Sequence, residues 1–295
     1  MWSMTDLRTT RFANSRATCM VAVLCMCVAA TAAAESALDT VTSPSALDQG
    51  FSGLYNLDFF GAQKDFSVWE AEHPDDPVGP VSEAAGQLFS EFNRLGILEA
   101  QFYADDSGFT ERHKMAADPA ARARFQAAIA RTETLARSRL MKDVNDRDAL
   151  FAMTLSSGLQ ADYAALIEKR NRASLHYTKE SSVWAAQLLA VCPDCYDVFL
   201  ATGFSKYVIG SLYAPWRWLL RLDGLPGDRQ EGIADLQITA ERGRYLAPFA
   251  RILLAIAYVR EHDKRKAVQL LTGLRQDFPA NPLFSREIAR LQQQP

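Results

Sequence analysis

Strand signals are almost missing from this sequence. It has no long run of alternating β-branched residues and no Asn-Gly pair of the kind that closes a hairpin. A sandwich or a barrel is therefore not expected. Cysteine is also scarce: of five in 295 residues, Cys19, Cys25 and Cys27 fall in the first 34. Only Cys192 and Cys195 remain, far too few for a disulfide scaffold, so the fold must rest on an apolar core. The hydrophobic fraction of 48% is enough to build one. The four histidines, His73, His113, His176 and His262, form no HExxH or other metal pair. No metal site and no cofactor are expected. Nucleophile elbow, phosphate loop and dinucleotide fingerprint are all missing, which leaves no ground for expecting an enzyme. A strong charge of one sign is missing too. The net charge is −3 with both signs spread along the chain, unlike the basic patch of a nucleic-acid binder.

The amino terminus differs from the rest. Arg8, Arg11 and Arg16 are basic, Asp6 is the only acid, and Ala17 to Ala34 carries no charge. Small residues at Ala32 and Ala34 stand where a signal peptidase cuts, and Glu35 follows. This predicts a secretory signal peptide over 1–34, cleaved after Ala34, and a mature chain over 35–295 in the periplasm or outside the cell. The alternative is an uncleaved anchor, since a span needs roughly 17–25 residues, but the second half is alanine-rich and only weakly hydrophobic. No twin-arginine pair is present. The Leu24 to Cys27 segment lacks the small residue that a lipid-attachment site places before its cysteine. No other stretch is long and apolar enough to cross a membrane.

Helical periodicity runs through the remainder, with helix punctuation at the turns. Ser43-Pro44 and Asp118-Pro119 read as an N-cap followed by proline at N1, and Asp228 with Glu231 as a capping box. Near the carboxyl end, Leu254-Ala255-x-x-Tyr258 is followed by Ala267, Leu271, Leu274 and Pro279. Alanines at the crossing of two helices let them approach. Large side chains fill the space around the crossing, and proline ends the second helix. The same offsets recur at Gly50, Ala62, Phe66, Trp69 and Pro74, with Ala84 opening a further unit and Gly53 in place of the aromatic. This pattern is similar to the tetratricopeptide repeat. The chain resembles exported bacterial proteins of that type, and the resemblance implies an all-α solenoid of antiparallel helical hairpins. Between Pro74, Pro193 and Pro279 the intervals are 119 and 86 residues, not multiples of about 34. Irregular, elongated middle helices are therefore expected. Asp148 to Lys169 and Ser174 to Val191 should form one hairpin, and Leu95 to Thr110 a longer connection or broken helix.

Residues 203–236 carry a weaker likeness. A hydrophobic helix, Tyr213-Ala214-Pro215-Trp216, then Gly224-Leu225-Pro226-Gly227-Asp228-Arg229 and a Gly-Ile-x-x-Leu helix are similar to the eukaryotic outer-mitochondrial-membrane and inclusion-body-clearance family of tetratricopeptide proteins. This likeness bears on fold alone.

Cys192-Pro-Asp-Cys195 falls between a helix ending near Val191 and another expected to start near Asp194 or Cys195. It reads as a local disulfide stapling a turn. The alternative is a redox pair, its thiolate favoured by a helix N-terminus. The acidic stretch Glu70 to Asp76 lacks the glycine and ligand spacing of a calcium loop and reads as a solvated turn. Arg122, Arg124, Arg131, Arg137 and Arg139 read as a solvated basic face. Trp216, Trp218, Leu219 and Leu220 with flanking arginines admit peripheral membrane contact. They equally suit the filling between hairpins.

In a helical-hairpin array the first helix of each hairpin lines the inner surface. The register places Leu47, Phe51, Leu54 and Tyr55 there at one end, and Ile252, Ile256, Val259 and Arg260 at the other. The binding residues expected are Phe51, Leu54, Tyr55, Ile256, Val259 and Arg260. The function this implies is a non-enzymatic scaffold holding a protein or peptide partner in the groove. The alternatives are a carrier of a small apolar ligand in a helical pocket, and a thiol oxidoreductase using Cys192 and Cys195.

Overall fold

Aspartate and serine caps divide the chain into helices, and the computed structural model describes residues 44–100, 116–212, 220–221, 224–225 and 227–293. Among these residues there are helices and turns but no strand. The order is α1 Ala46–Tyr55, α2 Phe59–Glu72, α3 Val78–Arg94, a single turn α4 Ile97–Ala100, α5 Pro119–Leu140, α6 Arg147–Asp162, α7 Asn171–Val191, α8 Phe199–Gly210, α9 Arg229–Arg242, α10 Ala247–Arg260, α11 Lys264–Asp277 and α12 Pro282–Gln293. None of these helices is long and apolar enough to cross a membrane. The segment 1–34 and the rest of the run to Ser43 lie outside the described residues, as do 101–115 and 213–219.

Aspartates open many of the helices. Asp58, Asp118, Asp146, Asp228 and Asp263 each accept a backbone N–H of the first turn, relieving the donors that a helix start leaves unpaired. At α1 the cap is Ser45, not the expected Ser43. Asp48 stands three residues on and returns a 3.0 Å bond from the Ser45 N–H, completing a reciprocal box, while Pro44 lies ahead of the helix. Asp228 accepts from Gln230 and Glu231. The Glu231 carboxylate reaches Lys206 at 3.4 Å.

Successive helices pack as neighbouring pairs, α1 on α2, α3 on α5, α6 on α7, α8 on α9 and α10 on α11, and each pair packs on the next. The small residues expected at two crossings are fully buried there: Ala62 against Phe66, and Ala255 and Ala267 among Leu271 and Leu274. At Gly50 a Cβ would stand 2.3 Å from the Phe66 ring, so only glycine admits that ring. The α8–α9 pair is closer still. Gly203 faces the Gly232 carbonyl, and Gly210 faces Gly227 and the Arg229 amide, with backbone against backbone.

The middle hairpin is long, as the intervals required. From Asp162 the α6 helix runs on into a π-helical turn over Tyr163–Ile167, which ends where Lys169 takes φ 59. The α8 helix begins at Phe199, after a 3-10 turn at Tyr196–Val198. Cys195 therefore does not head an α-helix, contrary to expectation, because Asp197 turns aside to cap another segment.

One further expectation changes. Glu70 is not a solvated turn residue. It sits 3.1 Å from the Arg131 guanidinium, which also pairs with Glu83, and burial pushes its carboxyl up to about 7, Arg131 opposing and Glu83 adding. The α5 arginines are solvent-exposed as expected, Arg139 only partly, and most of them join surface ion pairs. Arg122 pairs with Glu168, Arg137 with Glu133, and Arg139 with Asp146 and Asp148.

Candidate ligand cavity

The two ends of the helical array meet. Phe51 on α1 stacks on Tyr245, just ahead of α10, with ring centroids 4.9 Å apart. Tyr55 donates its hydroxyl to the Tyr245 carbonyl at 2.8 Å and tilts against Phe278 at the end of α11. The Asn281 amide donates to the Tyr55 carbonyl at 2.9 Å, and Arg244 makes two bonds to the Asp48 carboxylate. Phe89 on α3 meets Phe249 on α10 edge to face. Burial pushes the Tyr55 phenol far above its usual range, the Asp197 charge adding to it, and pushes Tyr245 up to about 12.

The segment that closes the array is held from a third direction. Asp197 accepts the backbone N–H groups of Arg244, Tyr245 and Leu246 at 3.1, 3.2 and 3.0 Å. Its carboxyl is raised by burial, which those three bonds partly offset. Immediately before it, Cys192 and Cys195 form a disulfide. The staple fixes the turn from which Asp197 reaches out. Its loop is short, so the stabilisation from restricting the unfolded chain is only about 2 kcal/mol. Dithiothreitol, or Cys192→Ser with Cys195→Ser, is expected to lower stability by about that amount in a urea titration, with no loss of helix in circular dichroism.

Inside the closed array lies a cavity of about 560 Å³, within the range of sites for drug-sized molecules. Of the residues expected to bind, Phe51, Leu54, Tyr55, Ile256 and Arg260 line it, as does Ile252. Val259 does not. Residues 252, 256 and 260 share one stripe of α10, and Val259 is turned off it into the carboxyl-terminal core. Leu47 is likewise buried in the core. Arg260 is exposed, so it marks a solvent-facing edge. The outer side of the array contributes little, and neither α5 nor α11 supplies a lining residue.

One wall is polar. Thr154, Gly158 and Asp162, spaced by four, share a face of α6, and Ser174, Thr178 and Ser181 share a face of α7. The Ser181 hydroxyl donates to the Thr154 carbonyl at 2.9 Å, which sets the two stripes side by side. Asp162 is half-buried and lines the cavity. No hydrogen bond or ion pair reaches its carboxyl among the described residues, and its oxygens are not sealed from cavity space. Burial alone pushes it up to about 7. The sequence reading did not single out Asp162. The available signal was three polar or small positions at fours on one helix and their match on the next.

A second hollow lies on the outside, between α2 and α5, lined by Glu70, His73, Asp76 and Arg131. His73 stacks on Trp69 with centroids 3.8 Å apart, and the charges there are joined in ion pairs across α2, α3 and α5. That network holds helices together. No group of three or more potential metal ligands occurs among the described residues. The aromatic segment considered for membrane contact falls on 213–219, outside the described residues.

No family model matches this sequence, and no curated protein matches it.

Proposed function

We propose that the protein is a non-enzymatic carrier of a small amphiphilic molecule, held within a closed array of tetratricopeptide-like hairpins. One observation carries the reading: residues about 200 apart in sequence join the first hairpin to the last around an apolar cavity with one polar wall. An open solenoid, in which each repeat touches only its neighbours, would leave Phe51 and Tyr55 as a bare groove. Here the closing contacts take up both rings. Support for the repeat class comes from the alternation of lining. α1, α3, α6, α8 and α10 supply most of the lining residues, while of their hairpin partners α2 and α9 give one each, α7 gives three and α5 and α11 give none. The proposal takes residues 1–34 as an export signal cut after Ala34, giving a protein of the periplasm or cell exterior.

The test is native mass spectrometry of the protein purified from its own cells, followed by denaturing extraction. A small molecule released in near-stoichiometric amount is the expected result. Protein that is empty as isolated, and that takes up no alkyl ligand afterwards, would reject the carrier.

Docking of a protein or peptide keeps one supporting observation. Phe204 and Val208, four apart on α8, and Leu212 just past its end are 37–39% exposed, and the first two also line the cavity. Crosslinking of wild type against Phe204→Asp would decide for it if one specific partner protein were lost and no small molecule were bound.

A further inference from the structure

The polar wall of the cavity is largely one-sided in its hydrogen bonding, Ser174 being the hydroxyl there whose hydrogen meets no acceptor among the described residues. Thr154 donates its hydroxyl hydrogen to the Leu150 carbonyl at 2.8 Å, Thr178 donates to Ser174 at 2.9 Å, and Ser181 donates to Thr154 at 2.9 Å. Across the cavity, Tyr55 donates to Tyr245 and Ser205 to Thr202. A hydroxyl has one hydrogen to give, and its oxygen can still accept. Each of these groups therefore offers the cavity lone pairs only. Asp162, when ionised, offers only lone pairs as well. Carboxylate and hydroxyl oxygens present the same sign.

An isolated buried carboxylate surrounded by acceptors is costly, and nothing in the described protein compensates it. The missing partner is a donor, and the strongest donor for such a place is a cation. We infer that the cavity selects amphiphiles whose polar end is a protonated amine, which pairs with the Asp162 carboxylate while the Thr178 and Ser181 oxygens accept its remaining hydrogens. The inference rests on the carrier reading and specifies its ligand class. An ammonium carries three donors and no acceptor, complementary to the carboxylate and to the hydroxyls of Thr154, Thr178 and Ser181, whose hydrogens are already given away. Its apolar remainder would lie against Phe51, Phe89 and Ile256. A fatty acid has the wrong charge for this wall. It could place its carboxylate only at the exposed edge, near Arg260.

Three probes with the same ten-carbon chain separate the possibilities by calorimetric titration: decylamine, decanol and decanoate. Decylamine is expected to bind wild type at least tenfold more tightly than decanol. Asp162→Asn is expected to remove that preference while leaving decanol affinity within twofold, and Thr178→Val to weaken decylamine alone by a few-fold. Circular dichroism confirms that each variant is folded. Equal binding of decylamine and decanol, unchanged by Asp162→Asn, overturns the amine inference and leaves the carrier standing. Preferred binding of decanoate, lost in Arg260→Ala, also overturns it and puts the polar end at the edge. Failure of all three to bind overturns both.

Discussion

Asp162→Asn is expected to stabilise the ligand-free protein at pH 8 and to remove the share of Asp162 in the fall of stability between pH 4 and 7, leaving the share of Glu70, whose carboxyl is also raised to about 7. Burial raises this carboxyl from 3.8 to about 7 in the folded protein. Folded chains therefore hold a proton on Asp162 between those values that unfolded chains have released. Stability is fully present below pH 4 and falls as pH rises through 7. The difference amounts to on the order of 4 kcal/mol above pH 7. Asparagine is close in shape and never ionises, so the variant keeps the packing and loses the penalty. Urea titrations of both proteins at pH 4.5 and pH 8, after removal of ligand by unfolding and refolding, measure it. A difference between wild type and variant that is the same at pH 4.5 and pH 8 would show that the Asp162 carboxyl is hydrated. An acid retained where it destabilises the empty protein is the pattern expected of a group that serves binding.

Gly232→Ala is the second large effect, and its sign is opposite to the usual one. In a helix interior alanine normally gains up to about 1 kcal/mol over glycine. On α9 the added Cβ would stand 2.5 Å from the Tyr207 amide nitrogen and 2.7 Å from the Gly203 carbonyl. Both neighbours are backbone, so neither can turn aside as a side-chain tip would. The α8–α9 pair would have to separate, at a cost of about 3 kcal/mol. For a chain of this size that lowers Tm by roughly 5–10 °C. Gly273→Ala on α11 is the control. There the nearest atom is the Arg251 guanidinium at 3.8 Å, and a small gain is expected. Scanning calorimetry of the two variants side by side reads both signs. Equal shifts would mean that the α8–α9 approach is looser than described.

The hairpins were legible in the sequence because they are local. Gly50, Ala62, Ala255 and Ala267 mark crossings through spacing alone, and Asp118-Pro119 marks a helix start by side-chain chemistry. The same local rule misled at Ser43-Pro44, where Ser45 with Asp48 made a better cap two residues on. Other features lay beyond local reading. Glu70 looks solvated beside Glu72 and Asp75, and only the approach of Arg131 from α5 shows otherwise. Tyr245 meets Phe51 across nearly two hundred residues and leaves no periodic trace. Asp162 resembles any solvent-facing aspartate until α7 and the cavity are placed around it. Five of the six expected binding residues reach the cavity because helix register fixes which stripe faces inward. Val259 fails because a stripe of positions at fours leaves out the residue before Arg260.

The closing contacts also order events in time. Each hairpin joins residues a few tens apart and can form as soon as both its helices exist. Arg244 to Asp48 and Asn281 to Tyr55 span 196 and 226 residues, so their formation requires very distant loop closure. On a ribosome the cavity cannot exist until the last turn before α12 has emerged, when almost all of the protein has been made. Until then Phe51, Phe89 and Phe249 remain uncovered, which makes the growing chain, rather than the finished one, the form most in need of a chaperone.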